Sequence, residues 1–217
     1  MKRLLMEFLG TFFFILSIAM SFNPIAIAAM LMVWVYIGAF VSGAHYNPLV
    51  SLAMALRGKL AWEKLPWYWL AQILGGCVAF FAAAHLHGQI AIPAPALEAT
   101  LLQAFIIEVL LSFVFALIIL VVGTAEKYKG NDIFGFAIGF SIPALAGVGG
   151  SISGGIFNPA IAIGAAVVGL MSGAPIVWAH LLMYVVAALL GGVLAAYAFH
   201  YFIAEKHEEI IIFNVRR

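Results

Sequence analysis

Charged side chains make up only 9% of this 217-residue chain, nine acidic and ten basic. A soluble domain carries about 25%, so too few charges are present to cover a water-facing surface of this size. Hydrophobic residues make up 66% and the mean hydropathy is +1.16, which makes lipid the solvent for most of the molecule. The net charge of +1 provides no broad electropositive face and argues against nucleic acid as a partner. The single cysteine, Cys77, excludes an intramolecular disulfide, and no His, Cys or carboxylate spacing suggests a metal. No nucleophile stands beside a base and no glycine loop suits a phosphate, which weighs against a membrane enzyme.

Long apolar runs fill the chain instead. Six segments, near residues 4–22, 24–42, 65–87, 97–124, 133–149 and 174–203, qualify or nearly qualify as spanning helices, each of which needs about 20 mostly apolar residues. Two further stretches, 47–57 and 158–169, are too short to cross the bilayer and suit re-entrant half-helices. The first run begins with Lys2 and Arg3, as a signal peptide would. Glu7 sits inside it, however, and no convincing small-x-small cleavage site precedes Asn23, so it reads as a retained span. All ten Lys and Arg lie before span one, between spans two and three, between four and five, or after span six. By the positive-inside rule both termini are expected in the cytoplasm, and the short connections suggest a prokaryotic inner membrane. The tail Glu205–Arg217 mixes charges with Ile210-Ile211-Ile212 and suits either the membrane surface or the cytoplasmic face.

The chain repeats itself. Glu7-Phe8-Leu9-Gly10-Thr11-Phe12 matches Glu108-Val109-Leu110-Leu111-Ser112-Phe113 at an offset of 101. Ser42-Gly43-Ala44-His45-Tyr46-Asn47-Pro48 matches Ser153-Gly154-Gly155-Ile156-Phe157-Asn158-Pro159 at 111. Tyr68-x-x-Ala71-x-x-Leu74-Gly75-Gly76 matches Tyr184-x-x-Ala187-x-x-Leu190-Gly191-Gly192 at 116. The matches keep their order, which divides the chain into a first repeat at 1–96 and a second at 97–217. Three spans per repeat is an odd number, so the second copy enters the membrane upside down, and broken helices meet between the repeats.

Asparagine caps helices and proline suits their first turn, so Asn47-Pro48 and Asn158-Pro159 each mark the start of a half-helix. One such motif alone reads as a simple cap. Two at matching places in an inverted repeat bring two helix N-termini together at the centre, each with about half a positive charge from its peptide dipoles. That repels cations, while the Asn47 and Asn158 amides can still donate to a passing oxygen. The segments before them hold Gly43, Ala44 and His45 in one half and Gly154, Gly155, Ile156 and Phe157 in the other. They must be irregular backbone at membrane depth, tolerated where it lines a polar lumen.

Ser-Gly-Ala-His-x-Asn-Pro followed by Ser-Gly-Gly-x-x-Asn-Pro-Ala resembles the signature of the aquaporin, or major intrinsic protein, family. The Glu7-x-x-Gly10-Thr11 start and the Ala71-Gln72-x-x-Gly75-Gly76 run agree with it. The resemblance covers nearly the whole chain. It implies an all-α membrane fold, six transmembrane helices plus two re-entrant half-helices, with Asn47, Pro48, Leu49, Asn158, Pro159 and Ala160 at the pore centre. It also implies a homotetramer with one pore per subunit, passive flow of water or small neutral solutes, no cofactor and no energy coupling. The family uses the glutamates matching Glu7 and Glu108 to accept hydrogen bonds from the irregular backbone beside each half-helix.

Two residues depart from the family pattern. Leu49 stands where the family usually has Ala, which puts the usual central diameter in doubt. Ile161 stands where most members have the Arg of the outer constriction. Ungapped alignment from the asparagines puts the other filter positions at Ile27, Ala146 and Gly155. A filter of these four is expected to be wide, apolar and without a fixed cation, unless another residue supplies the donor. Gly155 also stands where many relatives carry a mercury-sensitive cysteine, so mercurials should inhibit weakly.

Glu7 and Glu108 are costly in lipid and could relay protons, but their repeat symmetry favours a structural role. His45 could gate with pH, but a static lining or bracing role fits it better. A secondary transporter shares inverted repeats and broken helices, yet would need acids at the midplane, whereas both glutamates lie near span starts. An ion channel is a second rival, favoured slightly by the missing Arg.

Overall fold

The computed structural model describes residues 1–21, 23–88 and 91–203; the tail Glu205–Arg217 lies outside them. Within these residues eight α-helices follow one another: α1 (Lys2–Ser21), α2 (Pro24–Gly38), α3 (Pro48–Leu56), α4 (Leu65–His87), α5 (Leu101–Thr124), α6 (Phe134–Ser153), α7 (Pro159–Met171) and α8 (Trp178–Phe202). Among the described residues there is no strand.

Five helices are long and apolar enough to cross a membrane: α1, α4 with the turn before it, α5, α6 and α8. The expected second span is shorter than the rest, a regular helix of 15 residues. Its apolar run continues to Ser42 in helical-type bonding, with Ser42 N–H donating to Gly38 and Gly43 N–H to Ala39. The chain then breaks at Gly43, whose φ of +95° suits glycine. The fourth span begins at Leu101 rather than at 97, because Thr100 and Gln103 form a reciprocal capping box. The fifth, expected to end near 149, runs on to Ser153, and its Gly149 packs against Ile107 and Leu111 of α5.

The two halves pack by one plan. α1 lies along α4 and α5 along α8, while α7 sits on α4 and α3 on α8, so each half-helix is held by the opposite half. The glycine pairs explain how. A Cβ at Gly75 would sit 2.6 Å from the Phe8 carbonyl oxygen of α1, and one at Gly191 would sit 2.7 Å from that of Val109 in α5. The second glycine of each pair seats a half-helix: a Cβ at Gly76 would lie 2.6 Å from the Ala160 oxygen, and one at Gly192 3.0 Å from the Leu49 oxygen. Small residues let helix backbones approach closely where lipid offers no hydrophobic drive for association.

Candidate functional site

Three helices start with Asn-Pro, and they separate capping from something more. Asn23 caps α2 at an exposed end, its side chain accepting from Ile25 and Ala26 N–H. Asn47 and Asn158 cap α3 and α7 in the same way, accepting from Leu49 N–H at 3.0 Å and Ala160 N–H at 2.9 Å. Both are buried, and each uses its amide as well. Asn47 Nδ2 donates to the Phe157 carbonyl at 3.0 Å, and Asn158 Nδ2 donates to the Tyr46 carbonyl at 3.3 Å. Each asparagine therefore grips the backbone just before the other. One N–H of each amide is left over, because the group has two.

The segments before the half-helices are bent into conformations that ordinary residues avoid. Ala44, Tyr46 and Phe157 have φ of +53°, +51° and +26°, at a cost of about 1–3 kcal/mol each. Buried carboxylates hold them there. Glu7 accepts from Ser42 Oγ at 2.6 Å, His45 N at 3.0 Å, Tyr46 N at 2.8 Å and Gln72 Nε2 at 2.8 Å. Glu108 accepts from Ser153 Oγ at 2.6 Å, Ile156 N at 2.8 Å and Phe157 N at 2.7 Å. Tyr68 and Tyr184 complete the brace, their hydroxyls donating to the Ser42 and Ser153 carbonyls. Sequence reasoning had placed the two tyrosines in the repeat without giving them a task. A phenol at matched places in two apolar spans was the available signal, since a buried hydroxyl needs a partner.

Two cavities flank the asparagines. The larger, of about 560 Å³, opens on the face where α3 ends, and Lys59, Lys129 and Asp132 belong to its lining. Gly43, Ala44 and His45 form part of its wall. His45 is buried, with Nδ1 3.1 Å from Ser51 Oγ and its ring tilted against Tyr68. The smaller cavity, of about 200 Å³, lies on the other side. All four filter positions inferred by alignment, Ile27, Ala146, Gly155 and Ile161, line it, together with Gly154, Ile156 and Phe157. Among the described residues, Asn47 and Asn158 are its only polar side chains, and no charged one belongs to its lining.

Pro48, Pro159 and Ala160 sit buried in the half-helix starts. Leu49 is fully buried against Gly192 of α8 and lines neither cavity, so its extra bulk goes into the seat of the half-helix. The sequence left five cavity residues unnoticed: Phe14, Ile18, Pro24, Phe115 and Ile142. Phe14 and Phe115 each stand seven residues after a buried glutamate, two turns along the same helix face. That spacing could have singled them out.

Residues 1–200 match the family model described as "Major intrinsic protein". The chain is 32% identical to the aquaporin TIP1-1 of Arabidopsis thaliana, over 97% of this chain and 90% of that one. It is 31% identical to the glycerol uptake facilitator protein-like 6 of Lactiplantibacillus plantarum, over 91% of this chain and 96% of that one. The solved structure of the aquaglyceroporin from Plasmodium falciparum superposes with a TM-score of 0.83 at 22% identity, covering 93% of this chain and 96% of that chain. This last likeness is one of fold.

Proposed function

The chain belongs to the major intrinsic protein family, a family of passive channels for water or small solutes, and we propose that this member passes neutral solutes larger than water as well as water itself. Glycerol, metalloid hydroxides and similar uncharged acids are the class intended. The observation that carries this reading is the lining of the smaller cavity. Ile27, Ala146, Gly155 and Ile161 surround it without a fixed cation. Pore selectivity follows diameter, lining donors and electrostatic barriers, and an apolar wall without the Arg favours solutes with a hydrocarbon side. Cation exclusion then falls to the two half-helix N-termini that meet at Asn47 and Asn158.

In this reading Glu7 and Glu108 act as structural supports and Gly43, Ala44, His45, Gly154, Ile156 and Phe157 as pore wall. Both termini face the cytoplasm, supported by the one-sided placement of Lys and Arg. Family membership supports a homotetramer with one pore per subunit, and short connections fit a prokaryotic inner membrane.

Reconstituted vesicles followed by stopped-flow light scattering test the solute. Fast shrinkage and then fast re-swelling in glycerol are expected. Water flow with glycerol excluded would leave a water-selective aquaporin and overturn the reading of Ile161. Ile161→Arg should cut glycerol re-swelling by roughly tenfold or more while sparing most water flow; an unchanged solute profile would contradict it. Conductance in a planar bilayer would identify an ion channel instead.

A further inference from the structure

The two cavities meet at one side chain. Of the described residues lining them, only Phe115 belongs to both. On α2 the lining passes from Ile27 in the smaller cavity to Leu31 in the larger, and on α6 from Ile142 to Ile138. Each step is about one helical turn, so the junction is a thin layer, and its wall on these three helices is wholly apolar. Phe115 and Leu31 are each 3% exposed. The Phe115 ring lies 5.3 Å from the ring of Phe157, the residue whose carbonyl takes the Asn47 amide. The aromatic ring therefore stands at the level of the asparagine pair.

Resting on the solute-channel reading above, we propose that Phe115 sets the size limit of this pore at the midplane, a specificity-determining residue distinct from the four outer filter positions. An apolar constriction controls passage through dewetting and width. At the Phe115 layer a permeant loses hydration and meets the two asparagine amides on one side and hydrocarbon on the other. A polar group left without a partner there carries a desolvation cost. Water keeps its neighbours in single file and one amide contact. A polyol brings several hydroxyls at once and more bulk, so its passage depends more steeply on the Phe115 ring. With Ile161 in place of a cation, the outer end adds little resistance of its own, and the limit moves inward.

The full chain is tested in vesicles at matched channel density, with water flow read under an impermeant osmolyte and glycerol entry by re-swelling. Phe115→Ala is expected to raise glycerol permeability per channel by roughly tenfold, and Phe115→Leu by less. Ile161→Ala and Ile27→Ala should each raise it less than Phe115→Ala, and Leu182→Ala, at an exposed position that lines neither cavity, should leave it unchanged. If Phe115→Ala does not reach the vesicles, Phe115→Leu against the two filter variants decides. The proposal is overturned if the Phe115 variants leave both fluxes at or below the wild-type level, or if a filter variant matches them. Should the wild type pass water but exclude glycerol, the wide-filter reading falls. The proposal then still requires Phe115→Ala to admit glycerol or speed water, and is overturned if it does neither. Should the wild type pass neither, flux that appears only on trimming Phe115 supports the constriction, and continued silence overturns it.

Discussion

The two half-helix supports are built to one plan but not of the same material. In the first half, Glu7 gathers four donors, and Gln72 extends the network by donating also to Ser51, which in turn meets His45. In the second half, Glu108 gathers three, and the places of His45, Ser51 and Gln72 are taken by Ile156, Ala162 and Ala188. What the halves share is the minimum needed to hold left-handed backbone at membrane depth: a carboxylate, a serine hydroxyl, two backbone N–H groups and a tyrosine clamp. What they do not share follows the cavities. The extra polar atoms stand behind the larger cavity with its charged rim, and the stripped half stands behind the apolar one.

Removing the carboxylate charge should break this comparison open most widely. A glutamine at either site turns one acceptor oxygen into a donor that faces a backbone N–H. In the first half, Gln72 can respond, because its Oε1 has no partner and can accept from the new amide once the side chain adjusts. Ala188 offers nothing equivalent. Glu108→Gln should therefore cost about 2–3 kcal/mol and Glu7→Gln about 1 kcal/mol, read as thermal unfolding of the purified protein in detergent. Equal losses would mean that Gln72 gives no rescue.

The glycine seats give the next largest contrast. Gly76→Ala drives a methyl towards the Ala160 oxygen at 2.6 Å, and Gly192→Ala towards the Leu49 oxygen at 3.0 Å. Overpacking against backbone should cost Gly76→Ala about 2–3 kcal/mol and Gly192→Ala about 1 kcal/mol or less. The same unfolding measurement checks the order.

Gln72→Leu makes the first half resemble the second, leaving Glu7 with the three kinds of donor that Glu108 has. It should cost about 1 kcal/mol, from the donor that Ser51 and Glu7 each lose; a loss as large as that of Glu108→Gln would show that the halves differ in more than this relay. The smallest effect is expected from mercurials. Cys77 lines neither cavity, so mercuric chloride should slow water flow by less than about a fifth, and a full reversible block would place the thiol in the path.

Much of this was legible in the residues. The repeat, the two Asn-Pro starts and the paired glutamates could be found by matching the chain with itself. The four filter positions, counted out from the asparagines, meet in one cavity. Leu49 was read less well: it was expected to bear on the central diameter, but its side chain turns to Gly192. The second span was placed correctly as an apolar run, yet its regular helix stops at Gly38, since hydropathy does not register where α-helical geometry ends.

The sequence by itself determined the solvent, the number of crossings, the repeat and the places where the backbone must break. Each of these depends on residue type and order, which lipid and chain geometry translate directly. Only the tertiary structure decided which apolar residues look into the pore. In water, the polar face of a helix marks the outside. In lipid, an apolar side chain is as well placed against a hydrocarbon tail as against a neighbouring helix or a hydrophobic lumen. Phe115, lining both cavities, and Leu182, 65% exposed on α8, are both hydrophobic residues in apolar spans, and only the packing of the helices separates their roles.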